Sequence, residues 1–133
     1  MSTGAAPRRR IAVPEGHAAL MAWARARTVS AEAAAALPRS TRATAVRFAL
    51  EELATRVPGA SVEVRVPPFG VAQCVPGPRH TRGTPPNVVE LDAPAWLELA
   101  TGLTGWDEAR AAGRIRASGT RADLAAHLPL IRP

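Results

Sequence analysis

The chain has 133 residues, 47% of them hydrophobic and 21% charged, with a formal net charge of +6. That size and balance predict one globular domain that needs no metal or disulfide to hold its core. A single cysteine, Cys74, excludes an internal disulfide and fits a reducing compartment, and no apolar run approaches the roughly 18 residues of a membrane span.

All 17 basic residues are arginine, which with the abundant alanine reads as the codon bias of a G+C-rich genome. The surplus charge is uneven. Residues 1–47 hold eight arginines and two glutamates, whereas residues 48–133 hold nine arginines and nine acids. A basic arm is suited to nucleic acid or anionic lipid. Without interleaved aromatics or a recognisable nucleic-acid motif, no nucleic-acid partner is expected. Arg8–Arg10 resemble the charged start of a signal peptide, but Pro14, Glu15, Gly16 and His17 interrupt the apolar stretch such a signal needs next. A cytoplasmic location is therefore expected.

Taken in order, residues 1–10 read as a disordered basic arm. Residues 11–39 read as a helical extension, with a helix over 16–27 that gathers Leu20, Trp23 and Ala24 on one face and a weak alanine-rich turn over 30–36. The helix is expected to dock on the rest of the chain through Trp23, with at most transient membrane contact. Over 40–57, Val46, Leu50, Leu53 and Val57 recur at helical spacing until Pro58-Gly59 stops them. Residues 61–66 alternate strictly, with Val62, Val64 and Val66 on one face, and predict a half-buried strand. Residues 69–75 predict a second strand in a hairpin with the first, but the alternation leaves open whether Phe69, Val71 and Gln73 or Gly70, Ala72 and Cys74 face inward. The proline-rich 76–86 cannot be a central strand and reads as a stiff loop carrying Arg79, His80 and Arg82.

Residues 87–91 predict a third strand. Asp92 is placed to cap a helix in which Trp96, Leu99, Ala100 and Leu103 share a face, and Gly102 suits its left-handed stop. Thr104 with Asp107 resembles a capping box for a short helix ending at Gly113. Residues 114–118 alternate as a fourth strand with Ile115 and Ala117 facing in. Thr120 and Asp123 repeat the capping pattern ahead of a terminal helix with a Leu124/Leu128 seam, ended by Pro129.

Chemistry is sparse. Cys74 and His80 form the one nucleophile–base pair worth weighing, with no flanking motif, and read as a buried thiol and a surface histidine. His17, His80 and His127 are scattered and lack ligand spacing, so no metal and no cofactor are expected. Arg79 and Arg82 are suited to grip a carboxylate or phosphate.

The C-terminal half resembles the sterol carrier protein type 2 family. The matching places are Leu99-Ala100-Thr101-Gly102, then Gly113-Arg114-Ile115-Arg116-Ala117-Ser118-Gly119, then Leu124 and Leu128. Leu53 and the strand at 62–66 sit where the family's first helix and strand would, so the likeness spans roughly 43–130. The sequence departs from the pattern where a further family strand would precede residue 87, since proline-rich 76–86 stands there. The resemblance implies an α/β (α+β) fold: one mixed, mostly antiparallel sheet of four to five strands, covered on one face by helices, with residues 40–133 forming that domain. It implies a non-enzymatic role, binding or transferring a fatty acid, acyl-CoA, phospholipid or sterol-like molecule in a cavity between sheet and helices. The expected walls are Phe69, Val71, Trp96, Leu99, Leu103, Ile115, Leu124 and Leu128, with Arg79 and Arg82 at the mouth for an acidic head group. The alternative is a filled-core module that has lost lipid binding and docks its N-terminal helices on a protein partner.

Overall fold

The computed structural model describes residues 8–77 and 87–133. Three helices come first: α1 (Val13–Val29), α2 (Ala31–Ala35) and α3 (Arg39–Arg56). The hairpin β1 (Val62–Val66) and β2 (Gly70–Cys74) follows, then β3 (Val88–Glu90), α4 (Ala93–Thr101), α5 (Trp106–Ala111) and β4 (Arg116–Ser118). The four strands form one mixed sheet in the order β2-β1-β3-β4. β1 runs antiparallel to β2 and parallel to β3, and β3 runs antiparallel to β4.

The sheet is covered on one side. Val62, Val64 and Val66 of β1 and Val89 of β3 are buried, while Glu63, Arg65 and Glu90 between them are partly exposed. The register resolves the ambiguity of the second strand. Val62, Val64 and Val66 lie opposite Cys74, Ala72 and Gly70, and cross-strand partners share a face. Val71 and Gln73 therefore point to the uncovered side, and Val71 is 58% exposed.

α3 packs on β2 and α4, and α1 packs on the outer side of α3. The α1–α3 crossing is close because Gly16 of α1 meets the Phe48 side chain, and a β-carbon there would lie 2.7 Å from Phe48 Cβ and nearer still to the ring. Ser30 divides α1 from α2, its Oγ accepting the Ala33 N–H at 2.9 Å. Asp92 caps α4 by accepting the Ala95 N–H at 2.9 Å, and Gly102 ends that helix with φ 79°. The space between α3, α4 and the sheet is filled. Trp96, Leu53, Leu97, Leu99 and Leu124 are all fully buried, and Trp96 Nε1 donates to the Val46 carbonyl at 3.3 Å.

Residues 8–10 are held down, where composition alone reads as a loose arm. Arg9 Nη2 donates to Glu52 at 2.6 Å, and the Arg10 and Ile11 amides donate to Glu51 at 3.1 and 3.2 Å. Two adjacent carboxylates on α3 supply the partners that the arm lacks within itself.

Three local expectations are corrected. The N-cap of α5 is Gly105 and not Thr104, because the Thr104 hydroxyl donates to the Glu98 carboxylate at 2.8 Å instead. Only a 3-10 turn, Ala125–His127, forms in place of the expected terminal leucine helix. Asp123 accepts the Ala125 N–H at 2.8 Å, a local bond that competes with helix, and Pro129 constrains the residue before it. Ala117 is exposed. It lies opposite buried Val89 and so points to the helical side, but β4 packs chiefly on β3 and the missing helix leaves that end of the sheet bare.

Glu98 is the least expected core residue. It is 5% exposed in α4, yet it gathers Arg114 Nη1 at 2.7 Å, Arg114 Nη2 at 3.3 Å, Thr104 Oγ1 at 2.8 Å and, from α1, Arg27 Nε at 3.4 Å. Burial pushes its pKa up, but the hydrogen bonds from Arg114, Thr104 and Arg27 outweigh that and hold the carboxyl below its ordinary value.

Cys74 is fully buried, and burial pushes its thiol from 9.0 up to about 12. The thiolate, the reactive form, is thus about a thousandfold scarcer than in a free cysteine. An aromatic disulfide reagent is expected to leave the native protein untouched over hours and to titrate one thiol on addition of denaturant. Fast native labelling would contradict the burial.

Candidate functional site

A groove of about 1190 Å³ runs along β2, the edge strand of the sheet among the described residues, between it and α3. It exists because the facing side chains are small. Gly70 and Ala72 of β2 lie under Thr44, Leu50 and Ala54 of α3, and Gly59 is also in the lining. Leu50 sits directly over Gly70, with its Cδ1 3.2 Å from where a β-carbon would stand. Ile11, Phe69 and Val71 add apolar surface, and Gln73 lies at the rim.

Arg8, Arg10 and Arg47 belong to the same walls. Arg47 is anchored through Nε, which donates to the Phe69 carbonyl at 2.7 Å. Arg39 lies over the Phe69 ring at 5.1 Å from its centroid, within cation–π range. The one acid among the described wall residues, Glu51, already accepts two backbone N–H groups. The groove is therefore an apolar trough with a net positive rim. Its volume exceeds the roughly 300–1,000 Å³ of most ligand sites, as an open trough's does.

The residues expected as walls are distributed unevenly over the molecule. Phe69 and Val71 line this groove. Trp96, Leu99 and Leu124 are packed into the interior with no more than 1% exposure, whereas Leu103 is 49% exposed beyond the end of α4. Ile115 and Leu128 are partly buried against the core and are not among the groove's lining. Arg79 and Arg82, expected at the mouth, lie outside the described residues, as does His80. The groove's own arginines escape sequence reasoning because they come from places as distant as Arg8 and Arg47. A signal for them exists: all three belong to the N-terminal third that carries the surplus charge.

A second hollow of about 240 Å³ is lined by Pro67, Glu90, Asp92, Arg114 and Arg116 among others, acids and bases in balance. It offers little apolar surface and no net charge.

A family model described as bacterial SCP ortholog matches residues 38–130. The chain belongs to this sterol carrier protein-like family. The match covers well over half of the sequence, and the four-stranded mixed open sheet with its helices on one face is the α+β fold in keeping with it. The family is in general one of non-catalytic, lipid-binding carrier domains. No curated protein matches the chain. No helix among the described residues is long and apolar enough to cross a membrane.

Proposed function

We propose that this sterol carrier protein-like chain binds, without transforming it, an apolar molecule with an acidic head, such as a fatty acid or acyl thioester, in the groove between α3 and β2. The observation that carries this reading is the pairing in one trough of small or apolar walls with three arginines whose side chains pair with no carboxylate among the described residues. An acyl chain lying along Ile11, Val71 and Ala72, the apolar walls that keep exposed surface, loses water at about 0.8 kcal/mol per buried methylene. The guanidinium forks of Arg8, Arg10 and Arg47 suit a carboxylate or phosphate at the rim. The described walls hold one hydroxyl, Thr44, and no cysteine or histidine, which supports holding over chemistry. We place this activity in the cytoplasm, and we read residues 40–133 as the ligand-binding domain with 11–39 as its helical cover.

The test is native mass spectrometry of the purified protein together with displacement of a fluorescent fatty acid. Ala72→Phe is expected to fill the trough and weaken uptake at least tenfold while leaving thermal stability within about 1 kcal/mol, since residue 72 is partly exposed. Arg47→Glu is expected to weaken an acid but not the corresponding methyl ester. Uptake unaltered by Ala72→Phe sinks the assignment to this groove.

A second reading, a filled-core interaction module, is favoured by one observation: the interior expected to hold a ligand is occupied by Trp96, Leu99 and Leu124. No saturable uptake by the native protein, with the fold intact, would favour it.

A further inference from the structure

Among the described residues, β2 is the outermost strand on its side of the sheet. Its neighbours determine which of its backbone groups are free. The Glu63 N–H donates to the Asn87 carbonyl and the Arg65 carbonyl accepts from Leu91, so residues 63 and 65 of β1 turn their backbone toward β3. Residues 62, 64 and 66 therefore turn theirs toward β2, where they face Cys74, Ala72 and Gly70. That leaves the N–H and C=O of Val71 and Gln73 pointing away from the sheet, and no hydrogen bond from a described residue reaches them.

Natural edges are usually blunted by a charge, a proline or a bulge within the strand. Gly70–Cys74 holds none of these, and it places the exposed apolar Val71 between its free groups. Prolines stand just outside it at Pro67, Pro68 and Pro76, so an added strand has about five residues of room. Arg8, Arg10 and Arg47 flank the same edge. A second copy of the chain would set these arginines against their own counterparts, whereas an acidic segment would neutralise them.

We infer that the free edge of β2 receives an extended, acidic segment of a partner protein as a fifth strand. Backbone pairing to Val71 and Gln73 supplies the register, and the three arginines select acidic side chains. The inference does not depend on the ligand proposed above, although strand and amphiphile draw on the same arginines and compete for them.

The test uses the full chain, isotopically labelled, and an end-capped octapeptide of alternating glutamate and valine. Amide exchange read by NMR is expected to slow at least tenfold at Val71 and Gln73, saturably below about 1 mM peptide, a modest affinity in keeping with so short an edge. Binding is expected to weaken with salt. The lysine–valine peptide, and the acidic peptide methylated at every backbone nitrogen, are expected to fail. Gln73→Pro removes one outward donor and spares the ladder to β1, and it is expected to lower peptide affinity at least tenfold. Should that variant fold poorly, the double variant Arg10→Glu/Arg47→Glu is expected to abolish binding of the acidic peptide. No protection at Val71 and Gln73, or equal binding of the methylated peptide, overturns the inference. So does binding of phosphatidylglycerol vesicles without peptide binding, which would make the rim a membrane patch. Fatty-acid uptake measured in parallel separates the two proposals, because uptake without strand binding removes this one alone.

Discussion

Replacing Glu98 by alanine is expected to destabilise the protein by about 3 kcal/mol, seen as a fall of roughly 10 °C in melting temperature. The carboxylate is buried and is the shared acceptor for Arg114, Thr104 and Arg27, so its removal leaves three donors without their partner. The two arginine side chains are about a third exposed and regain water, which keeps the loss below that of a wholly buried ion pair. Glu98→Gln is expected to cost about 2 kcal/mol, because the shape survives and the charge does not. The partners are expected to rank by geometry. Arg114→Ala, which loses two contacts, should exceed Arg27→Ala, which loses one at 3.4 Å. Acid should mimic the substitution. The folded carboxyl titrates below its ordinary 4.5, so its contribution is complete well above that value and is lost as the pH falls through 4.5 and below. Glu52 shifts in the same direction: burial raises it, but hydrogen bonds from Arg9 and Arg56 prevail. Acid unfolding of the wild type should therefore be steeper than that of Glu98→Gln. A variant with unchanged stability and an unchanged acid limb would show that the cluster contributes nothing.

Gly16→Ala is expected to destabilise by about 2 kcal/mol, against the sign that helix propensity alone predicts. Alanine within an exposed helix is worth about 1 kcal/mol over glycine. Here the new β-carbon would run into Phe48, a side chain 1% exposed that has no free direction in which to move. Overpacking a well-filled site costs typically about 1–3 kcal/mol and occasionally more, and the shift would also loosen Leu20 and Trp23 on the same helix. Thermal denaturation gives the sum, and faster amide exchange in α1 with α4 unchanged would locate it. A stabilised Gly16→Ala would mean that α1 stands farther from α3 than direct contact between Gly16 and Phe48 allows.

Much of this fold is legible in the sequence, for identifiable reasons. β1 carries a clean two-residue alternation, α3 a long apolar stripe, and α4 both a cap and a left-handed stop, so local chemistry and tertiary demand agree in each. The likeness at Leu99–Gly102 and Gly113–Gly119 points to the right family. The failures fall where local signals compete. Thr104 is a plausible cap until a buried carboxylate claims its hydroxyl, and Leu124 and Leu128 suggest a helix until Asp123 and Pro129 intervene. The candidate site is less legible still. A groove made by the smallness of Gly70, Ala72 and Ala54 leaves no motif, since what defines it is volume not filled. Its arginines converge only after α3 has been laid across β2 and residues 8–11 have been tied to Glu51 and Glu52. Glu98 looks like one more polar position in an apolar helix, because its two arginine partners lie 16 and 71 residues away in sequence.

The N-terminal portion lies outside residues 38–130, yet it is bound into them at several points: Gly16 against Phe48, Arg27 on Glu98, and Arg9 with the Arg10 and Ile11 amides on Glu52 and Glu51. Such an attachment restricts how the protein can evolve. The leading helix cannot be traded for that of a relative unless Phe48, Glu51, Glu52 and Glu98 change with it. Lineages that shed it would have to find new cover for the flank of α3. The two parts should therefore be inherited together, their contact residues drifting in step.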